Sequence, residues 1–198
     1  MRQIEITVRL DEKLENAVEK LIKKGYKLIR ESDICDIYMT NKYNKLSSDN
    51  IQDILKKSVL LRSLKLENKE IKKITYKNKE YDENGNVVSE KKINLNCDDL
   101  EKAYELFLHL DFEKLVEVKY HVSVYEKNGI EFAFQNVENL GYLVEYENVE
   151  DFENEPLSKI NSEKQKMFEF MKSEGLILTD ELDVKKAKEL ILKEKFKK

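Results

Sequence analysis

Residues 4 to 10 set Ile4, Ile6, Val8 and Leu10 on one face of a strand and Glu5, Thr7 and Arg9 on the other. Alternation of this kind marks a strand with one face on a core. The polar row carries both signs of charge, as the lining of a polar cavity does. A fold for this chain must therefore give each row its own environment, one apolar and one polar.

Leu14, Ala17, Val18, Leu21 and Ile22 then recur at helical spacing, with Asp11 as the cap and Gly25 closing the helix. Residues 26–30 and 34–40 read as a strand pair. A polar connection through Asn50 leads to a short helix ending at Lys57, and residues 59–66 and 71–79 are the next strands. Asn84-Gly85 is a hairpin signal before a strand over 87–95. Asp98 caps a helix carrying Leu100, Ala103, Leu106, Phe107 and Leu110, and three strands follow over 115–125, 130–137 and 142–147. Beyond Pro156, the stripe of Ile160, Met167, Phe168 and Met171 predicts one helix and residues 184–196 another. About eight strands with few covering helices predict an α+β fold, a closed barrel or a strongly curved sheet over residues 1–150, with peripheral helices. A helical C-terminal extension over 151–198 is expected to pack on it.

Charged residues form 38% of the 198 and nearly cancel, at net charge -4, so no bulk attraction to nucleic acid or membrane is expected. Net charge governs association and solubility, and leaves open what lines a pocket. Cys35, Cys97, His109 and His121 show neither zinc spacing nor a disulfide framework. Charges at Glu5, Arg9, Asp11 and Glu12 interrupt any signal-like apolar run, and no stretch reaches membrane-spanning length. A reduced cytoplasmic protein, monomeric or homodimeric, is the expectation.

Four short motifs follow the first strand in order. Asp36-Ile37-Tyr38, Leu61-Arg62-Ser63-Leu64 and Ile74-Thr75-Tyr76-Lys77 lie on successive strands, and Phe134 through Glu147 holds Leu140-Gly141 and Glu145-Tyr146-Glu147. With Glu5-Ile6-Thr7-Val8-Arg9 they resemble the CYTH family of class IV adenylate cyclases, thiamine triphosphatases and inorganic triphosphatases, whose chains open with Glu-x-Glu-x-Lys. The resemblance covers residues 3 to 147. It implies a closed eight-stranded antiparallel β-barrel, a tunnel that binds a triphosphate-bearing small molecule or polyphosphate, with Arg9, Arg62, Lys77, Lys119 and His121 on the phosphates. It also implies Mg2+ or Mn2+ held by Glu5, Glu145 and Glu147.

Physical chemistry supports the division of labour. A buried triphosphate needs inward-facing cations, and guanidinium groups bind phosphate oxygens in pairs; two of the four arginines fall at motif positions. Alternation puts Lys73, Thr75 and Lys79 on the side of Lys77. Carboxylates hold a magnesium ion together with phosphates and waters. A protonated His121 would strengthen phosphate affinity as pH falls. The chain departs from the family pattern at Thr7, Leu64, His121 and Gln135, which removes carboxylates and permanent cations. Metal-dependent triphosphatase or cyclase chemistry therefore stands beside a second reading, a noncatalytic anion- or nucleotide-binding module or interaction scaffold.

Overall fold

The computed structural model describes residues 4–81, 87–148, 150, 152 and 155–196. Its elements are β1 (Ile4–Arg9), α1 (Leu14–Lys23), β2 (Lys27–Asn41), α2 (Ile51–Lys56), β3 (Lys57–Leu66), β4 (Lys69–Tyr81), β5 (Val87–Asn96) and α3 (Leu100–His109), followed by β6 (Phe112–Lys127), β7 (Ile130–Val137), β8 (Gly141–Asn148), α4 (Leu157–Ser173) and α5 (Lys186–Ile191). A π-helical turn, Leu192–Phe196, continues α5. The Asn84-Gly85 turn lies outside the described residues.

One expected strand pair is a single strand. β2 runs for 15 residues through Glu31, Ser32 and Asp33, which read as a turn in the sequence. Their side chains have partners across the sheet: Ser123 donates to Glu31 and His121 bonds Asp33. The cap of α3 is Asp99 rather than Asp98, its carboxylate accepting from the N–H groups of Glu101 and Lys102. Gly25 adopts φ +95°, which lets the chain leave α1 into β2.

The strands form one antiparallel sheet in the order β1-β8-β7-β6-β2-β3-β4-β5. It curls into a half-barrel, and the closed barrel expected from the sequence is not formed: β1 and β5 are its two ends. The outer edge of β1 is occupied by the chain's own tail. Ile177 accepts from the Asp11 N–H at 2.8 Å, Thr179 donates to Arg9 at 3.0 Å, and Val184 donates to Thr7 at 2.8 Å. The backbone groups that closure would use are thereby taken.

The apolar row of β1 packs with Phe132, Phe134 and Val144 beneath α1 and α4 on the convex face. Around Phe132, Tyr26 and Tyr146 approach with ring centroids at 5.4 and 5.2 Å. α3 covers Met39 and Leu61 on another part of that face. The concave face is filled on one side by α5, whose Ala187, Leu190 and Ile191 pack on Val116, Val118 and Val122 of β6. A buried ion pair between Lys164 and Asp183 fastens the tail to α4. Among the described residues, no helix is long and apolar enough to cross a membrane.

Candidate functional site

Residues directly opposite on paired strands share a face, so the register assigns the concave rows. Glu5 lies opposite Glu147 and Thr7 opposite Glu145. Asp36 lies opposite Arg62, and Arg62 opposite Lys73. Lys77 lies opposite Lys92, and Lys79 opposite Glu90. The groove therefore has an acidic wall on β1 and β8 and a basic wall on β3, β4 and β5.

In the basic wall, Arg62, Lys73, Lys77, Lys92, Thr75 and Asn94 line a pocket of about 190 Å³. Leu64 and Ile71, opposite one another, form its apolar end. Arg62 donates from Nε and Nη2 to the two oxygens of Asp36, both at 2.6 Å. Burial opposes the guanidinium charge, but these bonds to a carboxylate only 4% exposed drive its pKa upward overall. Glu90 is the acid among the lysines, with Lys92 at 2.8 Å, Lys77 at 3.3 Å and Lys79 at 3.5 Å. Burial would raise the Glu90 carboxyl, yet the three ammonium groups hold it down at about 2. Burial and the charge of Lys77 lower the pKa of Lys79. Lys73 makes no ion pair among the described residues.

The acidic wall is differently arranged. Glu145 Oε2 accepts from Gln135 Nε2 at 2.9 Å and from the Thr7 hydroxyl at 3.4 Å. The Gln135 carbonyl oxygen accepts from Lys186 Nζ at 2.6 Å, and that ammonium stands 4.6 Å over the Tyr120 ring. Arg9 is engaged by the tail, with Nη2 on Glu189 Oε2 at 2.7 Å and Nη1 on the Leu140 carbonyl at 2.8 Å. Burial, then Glu5 and Glu145, raise the pKa of Glu147.

The donor set does not fit the Mg2+ or Mn2+ that the resemblance implies. Such an ion takes oxygen ligands in near-octahedral array. Among the described residues no three His, Cys, Asp or Glu side chains are grouped to hold a metal. Two side chains already donate to one Glu145 oxygen, and Lys186 takes the Gln135 oxygen.

Arg62 and Lys77 thus meet in one pocket, Arg9 lies across the groove from them, and Glu5, Glu145 and Glu147 line the far wall. Lys119 and His121 are not brought to this groove. Tyr120 faces inward, its hydroxyl donating to Asp36 at 3.3 Å, so alternation sends its two neighbours to the convex face. There Lys119 pairs with Glu117 at 3.0 Å and His121 with Asp33 at 2.8 Å, the latter bond raising the imidazole pKa. Nearby Cys35 is pushed up to about 11 by burial and by its bond to Glu117, far from a reactive thiolate. Lys92, Glu90 and Lys186 are further groove residues; the family pattern has a cation and an acid in the block that Glu90-Lys91-Lys92-Ile93-Asn94 matches, with the register left open by the sequence. Alternation along β5 points to the first two; Lys186, in a short helix after a long connection, leaves no signal.

Comparison with known proteins gives fold-level kinship. No family model matches the chain. It is 29% identical over 171 residues, 86% of each chain, to the Methanocaldococcus jannaschii protein named "Putative adenylate cyclase MJ0240". The PH1819 protein of Pyrococcus horikoshii superposes with TM-score 0.73 at 18% identity, covering 98% of this chain and 99% of its own. A Vibrio parahaemolyticus protein, also named a putative adenylate cyclase, superposes with TM-score 0.67 at 15% identity, covering 98% of both chains. The superpositions show that this chain shares the fold of the Pyrococcus and Vibrio proteins, and two of the three proteins carry the name putative adenylate cyclase.

Proposed function

We propose that the groove binds the triphosphate or polyphosphate part of a small molecule, with Arg62, Lys73, Lys77 and Lys92 on the phosphate oxygens. The observation that carries this reading is the charge balance of one pocket, in which these four cations converge while the neighbouring acids are Asp36, held by Arg62, and Glu90, shared by Lys77 and Lys92. A region so unbalanced in a partly enclosed space is stabilised by an anion of several charges, and charge-assisted bonds to phosphate are among the stronger ones proteins make. Glu5, Glu145 and Glu147 face this site from the acidic wall.

A nucleoside triphosphate is the ligand suggested by the relative's name, and the apolar end at Leu64 and Ile71 offers its base a surface. Conversion of ATP to cyclic AMP is the second reading, resting on that name. Phosphorus NMR spectra of tripolyphosphate, ATP and thiamine triphosphate, recorded over time with the protein, test both readings. Protein-dependent line broadening is expected for a bound triphosphate; sharp, unchanged lines for all three would refute the site. Cyclic AMP with pyrophosphate would mark a cyclase, and orthophosphate a triphosphatase.

A further inference from the structure

The misfit between the acidic wall and a divalent ion has a resident explanation. We propose that Lys186 is the cation of that wall, a fixed ammonium in the role of a metal, so that the groove takes its phosphate ligand without a bound divalent ion. The inference rests on the reading of the groove as a phosphate site.

Packing fixes where the ammonium sits. Ala187 beside it and Leu190 and Ile191 on the same helix are buried against β6, which holds the Lys186 stem inside the half-barrel. Its Nζ reaches Gln135 Oε1 at 2.6 Å and lies over the Tyr120 ring at 4.6 Å. From Gln135 the chain of bonds continues to Glu145 and Thr7. Tyr120 also links the two walls, because its hydroxyl meets Asp36 at 3.3 Å and Arg62 at 3.4 Å. Lys186 therefore stands where the walls join, linked to the guanidinium of the phosphate pocket through the Tyr120 side chain.

The chemistry of the neighbours fits an ammonium better than a metal. Thr7 and Gln135 are neutral donors and acceptors, weak partners for a hard dication but adequate for one positive charge. Burial lowers the Lys186 pKa, while Glu145, Asp36 and Glu5 oppose that shift. A cation so held lends the anion charge and fixed geometry with no ion to recruit.

Calorimetric titration with sodium tripolyphosphate, once in EDTA and once in excess Mg2+, tests the proposal. The wild-type protein is expected to bind in EDTA and to gain nothing from Mg2+. Lys186→Met, similar in length and apolar, is expected to bind at least tenfold more weakly in EDTA. Manganese paramagnetic resonance gives a second readout: wild type leaves the free Mn2+ signal unchanged, and Lys186→Met with Gln135→Asp reduces it. Wild-type binding that requires Mg2+ would overturn the role of Lys186 and leave the phosphate site standing. Absence of binding in both titrations would remove the phosphate site and this inference with it.

Discussion

On the β1–β8 side of the groove the tail and neutral side chains engage the charges: Arg9 is held by Glu189, Glu145 accepts from Gln135 and Thr7, and burial with Glu5 and Glu145 raises the pKa of Glu147. On the β3–β5 side, Lys77, Lys79 and Lys92 share the carboxylate of Glu90, Arg62 holds Asp36, and Lys73 makes no ion pair among the described residues. Both walls come from the same alternation of side chains, so the strands do not set the difference. The tail does, because residues 177–196 bring Glu189 to Arg9 and Lys186 to Gln135, both on the β1–β8 side.

Substitutions should separate the two walls, beginning with the pair beneath the basic one. Arg62→Ala leaves Asp36 buried and charged without its partner, and is expected to cost about 3 kcal/mol in denaturant unfolding as well as anion affinity. A loss of affinity with unchanged stability would mean that the ion pair contributes nothing to the fold. Acid unfolding probes Glu90. Its folded pKa of about 2 lies below the ordinary value, so its stabilisation is present above about pH 4.5 and is lost as pH falls toward 2. That contribution is at most about 3 kcal/mol, and Glu90→Gln should flatten the stability profile in that window.

Lys73→Ala removes a cation with no ion pair among the described residues, and is expected to weaken tripolyphosphate binding about tenfold, near the low end of the roughly 1.5–3 kcal/mol of a charged hydrogen bond, while leaving the unfolding midpoint in place. The smallest effect belongs to the convex face. His121→Asn should leave anion affinity unchanged and leave its pH dependence between about pH 6 and 8 as it is in the wild type. A binding profile that follows the imidazole would place His121 at the ligand after all.

Much of this arrangement was legible in the sequence, for a physical reason: strand alternation has period two, so a motif residue on a known strand has only two faces to choose from. Arg62, Lys77, Glu5, Glu145 and Glu147 could therefore be assigned to the groove once their strands were recognised. The same rule could have excluded Lys119 and His121, since Tyr120 between them belongs to the inner row. The family pattern suggested their role, while the register decided their face. Closure of the barrel depends on what lies along the edge of β1, and the tail's hydrogen bonds to Thr7 and Arg9 are backbone contacts that leave no mark in residue types. Lys186 was hidden for a similar reason: its address follows from the burial of Leu190 and Ile191, over 50 residues after the strand that carries Tyr120.

The central claim is that the cations of β4, rather than those of the convex face, hold the ligand. Calorimetric titration of tripolyphosphate into Lys77→Ala and into Lys119→Ala, side by side with the wild type, tests it most directly. The account predicts affinity reduced tenfold or more in Lys77→Ala and unchanged in Lys119→Ala. Equal affinities in all three proteins, or a loss confined to Lys119→Ala, would contradict it.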